Sequence, residues 1–183
     1  MGGKIQSIPF FAEVAKVVKV LPDFLPPILN LEGAWDEILE MLYSVFSTDF
    51  KQNAAKHCGL NVRYDIRILP DGLGKEEGFW HVISKGPTTQ RLIDFRRGER
   101  LPWARPMMES GQRSELRVFD YDHGPRDKGI RRYIWLKDFD YALVLQQKKN
   151  TFFWITAFYT SSNGRKDLKR RYEGRLKRQR PPF

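Results

Sequence analysis

Histidine, cysteine and basic residues are the groups of this 183-residue chain that could do chemistry, and their spacing excludes several kinds of site. His57, His81 and His123 are scattered, with no two at the spacing that aligns metal ligands on a helix. A single cysteine, Cys58, excludes a multi-cysteine zinc site and an intramolecular disulfide, and it fits a reducing cytosol. No glycine-rich loop is followed by the Lys-Ser/Thr pair of a P-loop. The sequence therefore predicts no metal and no cofactor.

His81 is the histidine best suited to acid–base chemistry. The apolar run 79–84 around it indicates a short strand, on which His81 shares a face with Phe79 and Ile83. A histidine on such a face is either a hydrogen-bonded core residue or, with a pKa near neutrality, a general acid or base. The sequence leaves both interpretations open.

Two polar residues lie on a later predicted strand, 152–160. Thr156 shares a face with Phe158, whereas Tyr159 shares the opposite face with Ala157. Thr156 and Tyr159 therefore converge only if the strand bulges or ends between them.

Arginines cluster in the segment that follows the predicted histidine strand. Arg96, Arg97 and Arg100 lie within about one helical turn, between Arg91 and Arg105. They either form a solvated helix face or bind phosphate, because the planar guanidinium holds two phosphate oxygens at fixed charge.

Most of the excess positive charge lies in the tail. The net charge is +10, and the segment 165–180 alone contains nine basic and two acidic residues. The tail could meet RNA, an acidic partner or only solvent. The RNA contacts predicted here are Arg170, Arg171, Arg175 and Arg178. Alternatively, Leu168, Tyr172 and Leu176 at i, i+4 and i+8 could pack this helix onto the sheet.

The order of the elements predicts the fold class. Helical periods occur over 9–20 and 34–46, a proline-rich connector over 21–32, and a helical segment interrupted by Pro102 and Pro106 over 94–109. Strand patterns occur over 60–68, 79–84, 115–121, 130–136, 141–147 and 152–160, with a hairpin turn at 148–150 and a basic helix capped by Asn163. Helices followed by turn-connected strands predict an α+β domain with a mainly antiparallel sheet of four to six strands and a basic C-terminal helix.

Three segments follow from this organisation: 1–32, an N-terminal helix and connector; 33–162, the main domain; and 163–183, the basic helix and tail. The apolar stretch 8–20 contains three charged residues and is too short to cross a bilayer. We therefore expect no membrane association and a cytoplasmic location.

Several stretches of the sequence resemble the phage-associated Barnase–EndoU–Colicin–RelE-like (BECR) nucleases over about residues 35–172. They are Phe79-Trp80-His81-Val82-Ile83-Ser84-Lys85, Asp94-Phe95-Arg96-Arg97-Gly98-Glu99-Arg100-Leu101-Pro102-Trp103-Ala104-Arg105-Pro106, Asp140-Tyr141 and Thr156-Ala157-Phe158-Tyr159. The Arg-x-x-Arg-Leu-Pro-Trp run is the most specific of them. The resemblance implies a compact α+β nuclease domain with a four-stranded antiparallel sheet that cleaves RNA without a metal.

The resemblance also implies roles for individual residues. His81 would be the acid or base, Arg97 and Arg100 the phosphate clamp, and Thr156 with Tyr159 the polar pair of the late strand. Phe158 departs from the pattern, because the Thr-Ala-Tyr version of the motif has a tyrosine there.

Arg96, Arg105 and Lys85 are the further RNA contacts that we predict. Trp80 and Trp103 could stack bases, although core packing is the expected role of Trp103.

The predicted function is metal-independent cleavage of RNA, such as tRNA or mRNA. Attack of the 2′-OH on the adjacent phosphorus would give 2′,3′-cyclic phosphate and 5′-OH ends. The protein would be a toxin or effector of a phage or other mobile element, with an antitoxin or immunity protein as a possible partner. The alternatives are a non-catalytic RNA- or protein-binding module and a phage structural accessory.

Overall fold

A computed structural model of the protein describes residues 19–86, 90–124 and 129–178, and only the main chain of 176–178. The helix predicted over 9–20 lies outside the described residues except for its last two positions. Within them, the connector 21–32 forms neither helix nor strand.

The connector packs against the main domain. Leu25 is buried in the core. The Leu29 amide donates to the Glu99 carbonyl (2.8 Å), and the Trp103 indole donates to the Pro26 carbonyl (2.8 Å). The connector therefore covers one side of the domain that begins after it.

Helices and strands alternate first and then give way to consecutive strands. The helices of the described chain are α1 (Trp35–Phe46), α2 (Glu77–Ile83), α3 (Phe95–Gly98), α4 (Ala104–Glu109) and α5 (Ser162–Arg178). The strands are β1 (Lys56–His57), β2 (Leu60–Arg63), β3 (Ser84–Lys85), β4 (Leu92–Ile93), β5 (Leu116–Asp122), β6 (Ile130–Leu136), β7 (Tyr141–Lys148) and β8 (Thr151–Tyr159).

Six of the strands form one sheet in the order β1-β2-β8-β7-β6-β5, and β3 pairs with β4 separately. All neighbours in the large sheet are antiparallel except β2 and β8. The prediction of an α+β domain with a mainly antiparallel sheet is confirmed. The hairpin between β7 and β8 is also as predicted, with Lys149 and Asn150 as its two turn residues.

The large sheet has an apolar layer on each face. On one face, which we call the large-core face, Leu143, Leu145 and Trp154 pack with residues of α1, α2 and α4. On the other, which we call the α5 face, Tyr133 and Val144 pack with residues of α5. Both faces are apolar because helices cover each of them over part of its area.

Helix α1 follows the predicted apolar stripe. Ile38, Leu39, Leu42 and Phe46 are buried, whereas Trp35 lies at the edge of the stripe and is 37% exposed. The helix continues into a π-helical turn, Ser47–Gln52, which buries Phe50.

The strand predicted over 79–84 is wrong: most of this run is helix α2. Phe79, Val82 and Ile83 are all buried, and their spacing of i, i+3 and i+4 is that of a helix face. A run of six apolar-rich residues fits a period of two or of 3.6 about equally well, and flanking contacts decide between them.

The strand predicted over 60–68 is too long. Only Leu60–Arg63 pairs in the sheet, and Ile66 and Ile68 are exposed rather than half-buried. The segment after β2 hydrogen-bonds to the start of α2 instead, since the carbonyls of Asp65 and Arg67 accept the amides of Gly78 and Glu77, each at 2.8 Å. Helix α2 also lies against β8, which pairs with β2 at Phe152 and Phe153.

The segment 94–109 is helical, as predicted, and comprises α3, a 3₁₀ turn (Leu101–Trp103) and α4. Pro102 lies at the start of the 3₁₀ turn. Pro106 does not interrupt the helix, because it occupies the first turn of α4, where an amide proton has no intrahelical partner.

Helix α5 packs on the sheet through its apolar side. Leu168 is 2% exposed, and the Tyr172 ring contacts Phe119 edge-on at 5.4 Å. Two of the three residues predicted to pack this helix, Leu168 and Tyr172, contact the sheet, and the side chain of Leu176 lies outside the described residues. Asn163 is not its N-cap, because the helix begins one residue earlier and the Ser161 hydroxyl accepts the Gly164 amide (3.4 Å).

Candidate active site

A basic cleft of about 360 Å³ lies where α2, β3 and β8 meet. It is lined by His81, Ser84, Lys85, Gly86, Arg91, Arg97 and Thr156. Three of these side chains are cations and none is an acid, so the cleft suits an anionic ligand. Sequence-predicted residues from three separate segments meet here.

The helical geometry of α2 directs His81 into the cleft. Phe79, Val82 and Ile83 face the core, which leaves His81 on the outer side, with 42% of its side chain exposed. Glu77 precedes His81 by four residues and therefore lies beside it on the same side of the helix. The result is a buried carboxylate next to a half-exposed imidazole.

Arg91 connects this carboxylate to the imidazole. Its Nη2 donates to Oε2 of Glu77 (2.6 Å) and to Nδ1 of His81 (2.7 Å), and Nδ1 lies 3.6 Å from the same Oε2. A guanidinium only donates hydrogen bonds, so Nδ1 must accept. The ring in this arrangement is neutral and carries its proton on Nε2.

The charge state of His81 has two main causes. Burial, followed by the positive charge of Arg91, holds the pKa of the ring below its ordinary value, and the Glu77 carboxylate opposes the shift. The lowered pKa and the hydrogen bond from Arg91 to Nδ1 therefore both favour an uncharged imidazole at neutral pH.

We expect NMR titration of the histidine ring protons to place the pKa of His81 below about 6.5, with the resonance assigned by its absence from His81→Ala. The unfolded ring binds a proton more readily than the folded one. Its contribution to stability is therefore complete above about pH 6.5 and is lost as the pH falls towards the folded pKa. Inorganic phosphate should raise the pKa by offsetting the charge of Arg91. A ring that titrates above the ordinary value would contradict this arrangement.

Arg97 lines the same cleft as His81. Its Nη1 donates to the Ser84 carbonyl, and its Nε lies 3.4 Å from a carboxylate oxygen of Asp94. Burial lowers the pKa of Arg97, but an arginine remains charged at any physiological pH. The guanidinium is thus a fixed positive charge held in one orientation.

Thr156 contributes the strand side of the cleft. Its hydroxyl donates to the carbonyl of His81 (3.2 Å) and so fastens the end of α2 to β8. Thr156 pairs with Val144 and therefore lies on the α5 face. An extra residue in β8, Ile155, interrupts the pairing just before it.

Tyr159 and Arg100 lie elsewhere. Tyr159 pairs with Tyr141, whose side chain belongs to the large-core face, so it points away from Thr156 as the alternation predicted. The guanidinium carbons of Arg96 and Arg100 lie 4.8 and 4.9 Å from the centre of its ring. Of the five predicted catalytic residues, the cleft contains His81, Arg97 and Thr156, whereas Arg100 and Tyr159 form a stacked cluster outside it.

The predicted RNA contacts are dispersed. Lys85 lines the cleft, while Arg105 donates to the carbonyls of Asp49 and Asn53 (2.9 and 3.1 Å) and closes the π-helical turn. The remaining ones belong to α5: Arg170 pairs with Asp167, Arg171 donates to the Tyr133 hydroxyl (2.7 Å), Arg175 lies in the last turns, and the side chain of Arg178 lies outside the described residues.

The two tryptophans considered for base stacking have structural contacts. Trp103 is buried, and Trp80 is half-buried with its indole donating to the Gly72 carbonyl (3.1 Å). The other two histidines also lie away from the cleft. His57 is buried with Nδ1 2.7 Å from the Met108 carbonyl, and Nε2 of His123 lies 2.8 Å from the Tyr133 hydroxyl.

Sequence reasoning missed Glu77 and Arg91. A helical interpretation of 77–83 would have revealed Glu77, because glutamate and histidine at i and i+4 are neighbours on a helix. Arg91 has no such local signal. It reaches the site only because the pairing of β3 with β4 brings it back beside α2.

No family model, curated protein or solved structure matches this chain. Within residues 19–86, 90–124 and 129–178, histidine, cysteine and acidic side chains form no group of three that could hold a metal ion. The helices in those ranges also include none with the length and apolar character needed to cross a membrane.

Proposed function

We propose that the protein is a metal-independent endoribonuclease whose active site is the basic cleft. The observation that carries the proposal is the convergence of His81 with three cations and the Thr156 hydroxyl around one open space, beside the buried Glu77 carboxylate. The resemblance to BECR nucleases supports the same assignment. It also favours a toxin or effector of a mobile element that acts in the cytoplasm and is neutralised by an antitoxin or immunity protein.

The cations bind the scissile phosphate in this proposal. Arg91 and Arg97 are held by carboxylates on one side and line the cleft on the other, and the exposed Lys85 completes the clamp. Fixed donors placed around a phosphorane stabilise the charge that develops on its non-bridging oxygens. Arg97 takes the clamp role that the resemblance gives to an arginine pair.

His81 acts as the general base. When the phosphate engages Arg91, His81 changes tautomer through solvent: Nε2 gives its proton to water, and Nδ1 takes a proton from water and donates it in a hydrogen bond to Oε2 of Glu77. Nε2 is then free to accept the 2′-OH proton. The O2′–P bond forms, the P–O5′ bond breaks, and O5′ takes a proton from water in the open cleft. His81 then returns its proton to solvent. The products are 2′,3′-cyclic phosphate and 5′-OH ends.

Cleavage of total cellular RNA should persist in excess EDTA and leave those ends, because the mechanism uses the 2′-OH as its nucleophile. Oligonucleotides that are 2′-deoxy or 2′-O-methyl at the scissile residue should stay intact. The ends can be mapped by ligation with enzymes specific for each terminus. Cleavage of the 2′-deoxy substrate at a comparable rate would overturn the mechanism.

Non-catalytic binding of RNA is the second candidate, and one contact favours it. Arg91 donates to Nδ1 of His81, which keeps the ring in the tautomer that cannot accept a proton at Nε2. If phosphate does not displace this contact, the cleft binds RNA without cutting it. Binding at nanomolar to micromolar affinity with no product in the assay above would support this reading.

Helix α5 is proposed as an affinity element. Replacing Arg170, Arg175 and Arg178 by glutamine should weaken RNA binding and reduce the slope of log K against log salt by up to about 2, with kcat unchanged at saturating RNA. Arg171 is kept because it holds the Tyr133 hydroxyl. The slope can be measured by fluorescence anisotropy. An unchanged slope would mean that α5 does not touch RNA and would favour an acidic protein partner for it.

A further inference from the structure

A second cavity, of about 380 Å³, also borders His81. We call it the Phe153 groove and define it by Asp65, Arg67, Arg131, Gln146, Lys148 and Phe153. His81 lines both this groove and the basic cleft. The two cavities are therefore neighbours that meet at His81.

Strand register places the floor of the groove on the α5 face. Phe153 pairs with Gln146, and Gln146 and Lys148 alternate with Val144, which packs with residues of α5. Arg131 lies two residues before Tyr133 on β6 and so shares the same face. Helix α5 covers the face at Tyr133 and Val144, whereas Phe153 is half-buried and Lys148 is exposed.

The side chains of the groove suit an unpaired nucleotide. The Phe153 ring, which is half-buried, offers a surface on which any base can stack. Arg67, Arg131 and Lys148 supply positive charge for the backbone phosphates. The one acidic side chain, Asp65, is bound by the Arg67 guanidinium through both carboxylate oxygens, so the groove keeps a net positive charge.

We infer that the Phe153 groove is a nucleotide subsite, which binds the base and phosphate that adjoin the phosphate in the cleft. The inference rests on the proposed function, because that function makes the cleft the site of the scissile phosphate. The groove then makes single-stranded RNA the substrate class. Stacking selects an unpaired strand, because the bases of a duplex are not available to an aromatic side chain.

Binding of two labelled probes by fluorescence anisotropy tests the inference. One is an oligodeoxyuridylate of about ten nucleotides, and the other is an abasic deoxyribose-phosphate chain of the same length and charge. Neither has a 2′-OH, so neither can be cut by the proposed mechanism. The wild-type protein should bind the base-containing probe more tightly. Phe153→Leu should weaken that binding roughly fivefold or more and leave the abasic probe unaffected, while Phe153→Tyr should retain the preference.

The basic side of the groove is tested at Lys148, the last residue of β7, with Lys137 in the 3₁₀ turn (Lys137–Phe139) before β7 as the control. Lys148→Gln should weaken both probes and reduce the salt slope by about 1, whereas Lys137→Gln on its exposed turn should change neither. Equal binding of the two probes by the wild-type protein, or equal loss with Phe153→Leu, would overturn the inference. RNA cleavage without base-dependent binding would reject the nucleotide subsite and leave the proposed function intact. Base-dependent binding without cleavage would support the subsite and reject the proposed function.

Discussion

The variant His81→Ala is expected to lower kcat for RNA cleavage by roughly two to four orders of magnitude, the range typical of losing a general acid or base. The thermal midpoint should change little. The ring is 42% exposed, and its removal deletes one hydrogen bond from Arg91, which keeps its bond to Glu77. The stability cost of such a change is about 1 kcal/mol. Single-turnover kinetics and a melting curve of the same preparation measure both quantities.

His123→Ala is the matched control. This ring also makes a side-chain hydrogen bond, to Tyr133, but lies outside the cleft, so kcat should stay near the wild-type value. Parallel loss of activity and thermal midpoint in His81→Ala would instead mean that His81 is a structural hydrogen-bonding residue. That result would favour the second candidate function, in which the cleft binds RNA without cutting it.

Glu77→Gln is expected to destabilise the protein by about 3 kcal/mol, or roughly 6–12 °C in Tm for a domain of this size. The side chains of Glu77 and Arg91 are only 6% and 11% exposed, and the substitution leaves the guanidinium charge buried beside a neutral amide. Glutamine has nearly the same shape as glutamate, so the loss reports on charge rather than on packing. Urea unfolding gives the free energy directly.

Two further measurements separate this effect from a general loss of helix α2. Glu173→Gln removes the carboxylate of an exposed pair with Lys169 and should cost less than about 1 kcal/mol. In Glu77→Gln, the pKa of His81 should fall further, since the carboxylate that raises it is gone. The acid limb of the pH–rate profile should therefore move to lower pH. A variant as stable as the wild type, with an unshifted limb, would show that Glu77 does not hold Arg91 and His81 in place.

Local patterns were sufficient for much of the fold. The apolar stripe of α1, the four late strands and the hairpin between β7 and β8 were predicted, although its turn is one residue shorter than the predicted 148–150. The alternation along β8 also correctly separated Thr156 from Tyr159. Side-chain direction alternates along an uninterrupted stretch of strand, and the bulge at Ile155 lies before both residues, so the alternation holds between them.

The structure of the histidine segment could not be decided in this way. The run around His81 is short enough to fit a strand or a helix, and the choice depends on its surroundings. The chain after β2 leaves the sheet and hydrogen-bonds to the start of α2, so the segment packs beside β8 as a helix. That choice turns Glu77 and His81 to the same side and creates the acid–base pair that the sequence analysis missed.

The arginines of segment 94–109 also separate what sequence spacing could predict from what the tertiary structure decided. Their sequence spacing placed Arg96, Arg97 and Arg100 within about one helical turn of a segment predicted to be helical. Helix α3 instead ends at Gly98, and the main chain at Arg100 is no longer helical. Arg97 therefore turns into the cleft, while Arg100 stacks on Tyr159 across the large-core face. Composition and spacing determined that this segment carries clustered cations. Which of these cations reaches His81 was decided only by the end of the four-residue helix α3 and by the packing around it. The reason is that side-chain direction in so short an element is set by tertiary contacts rather than by helical periodicity.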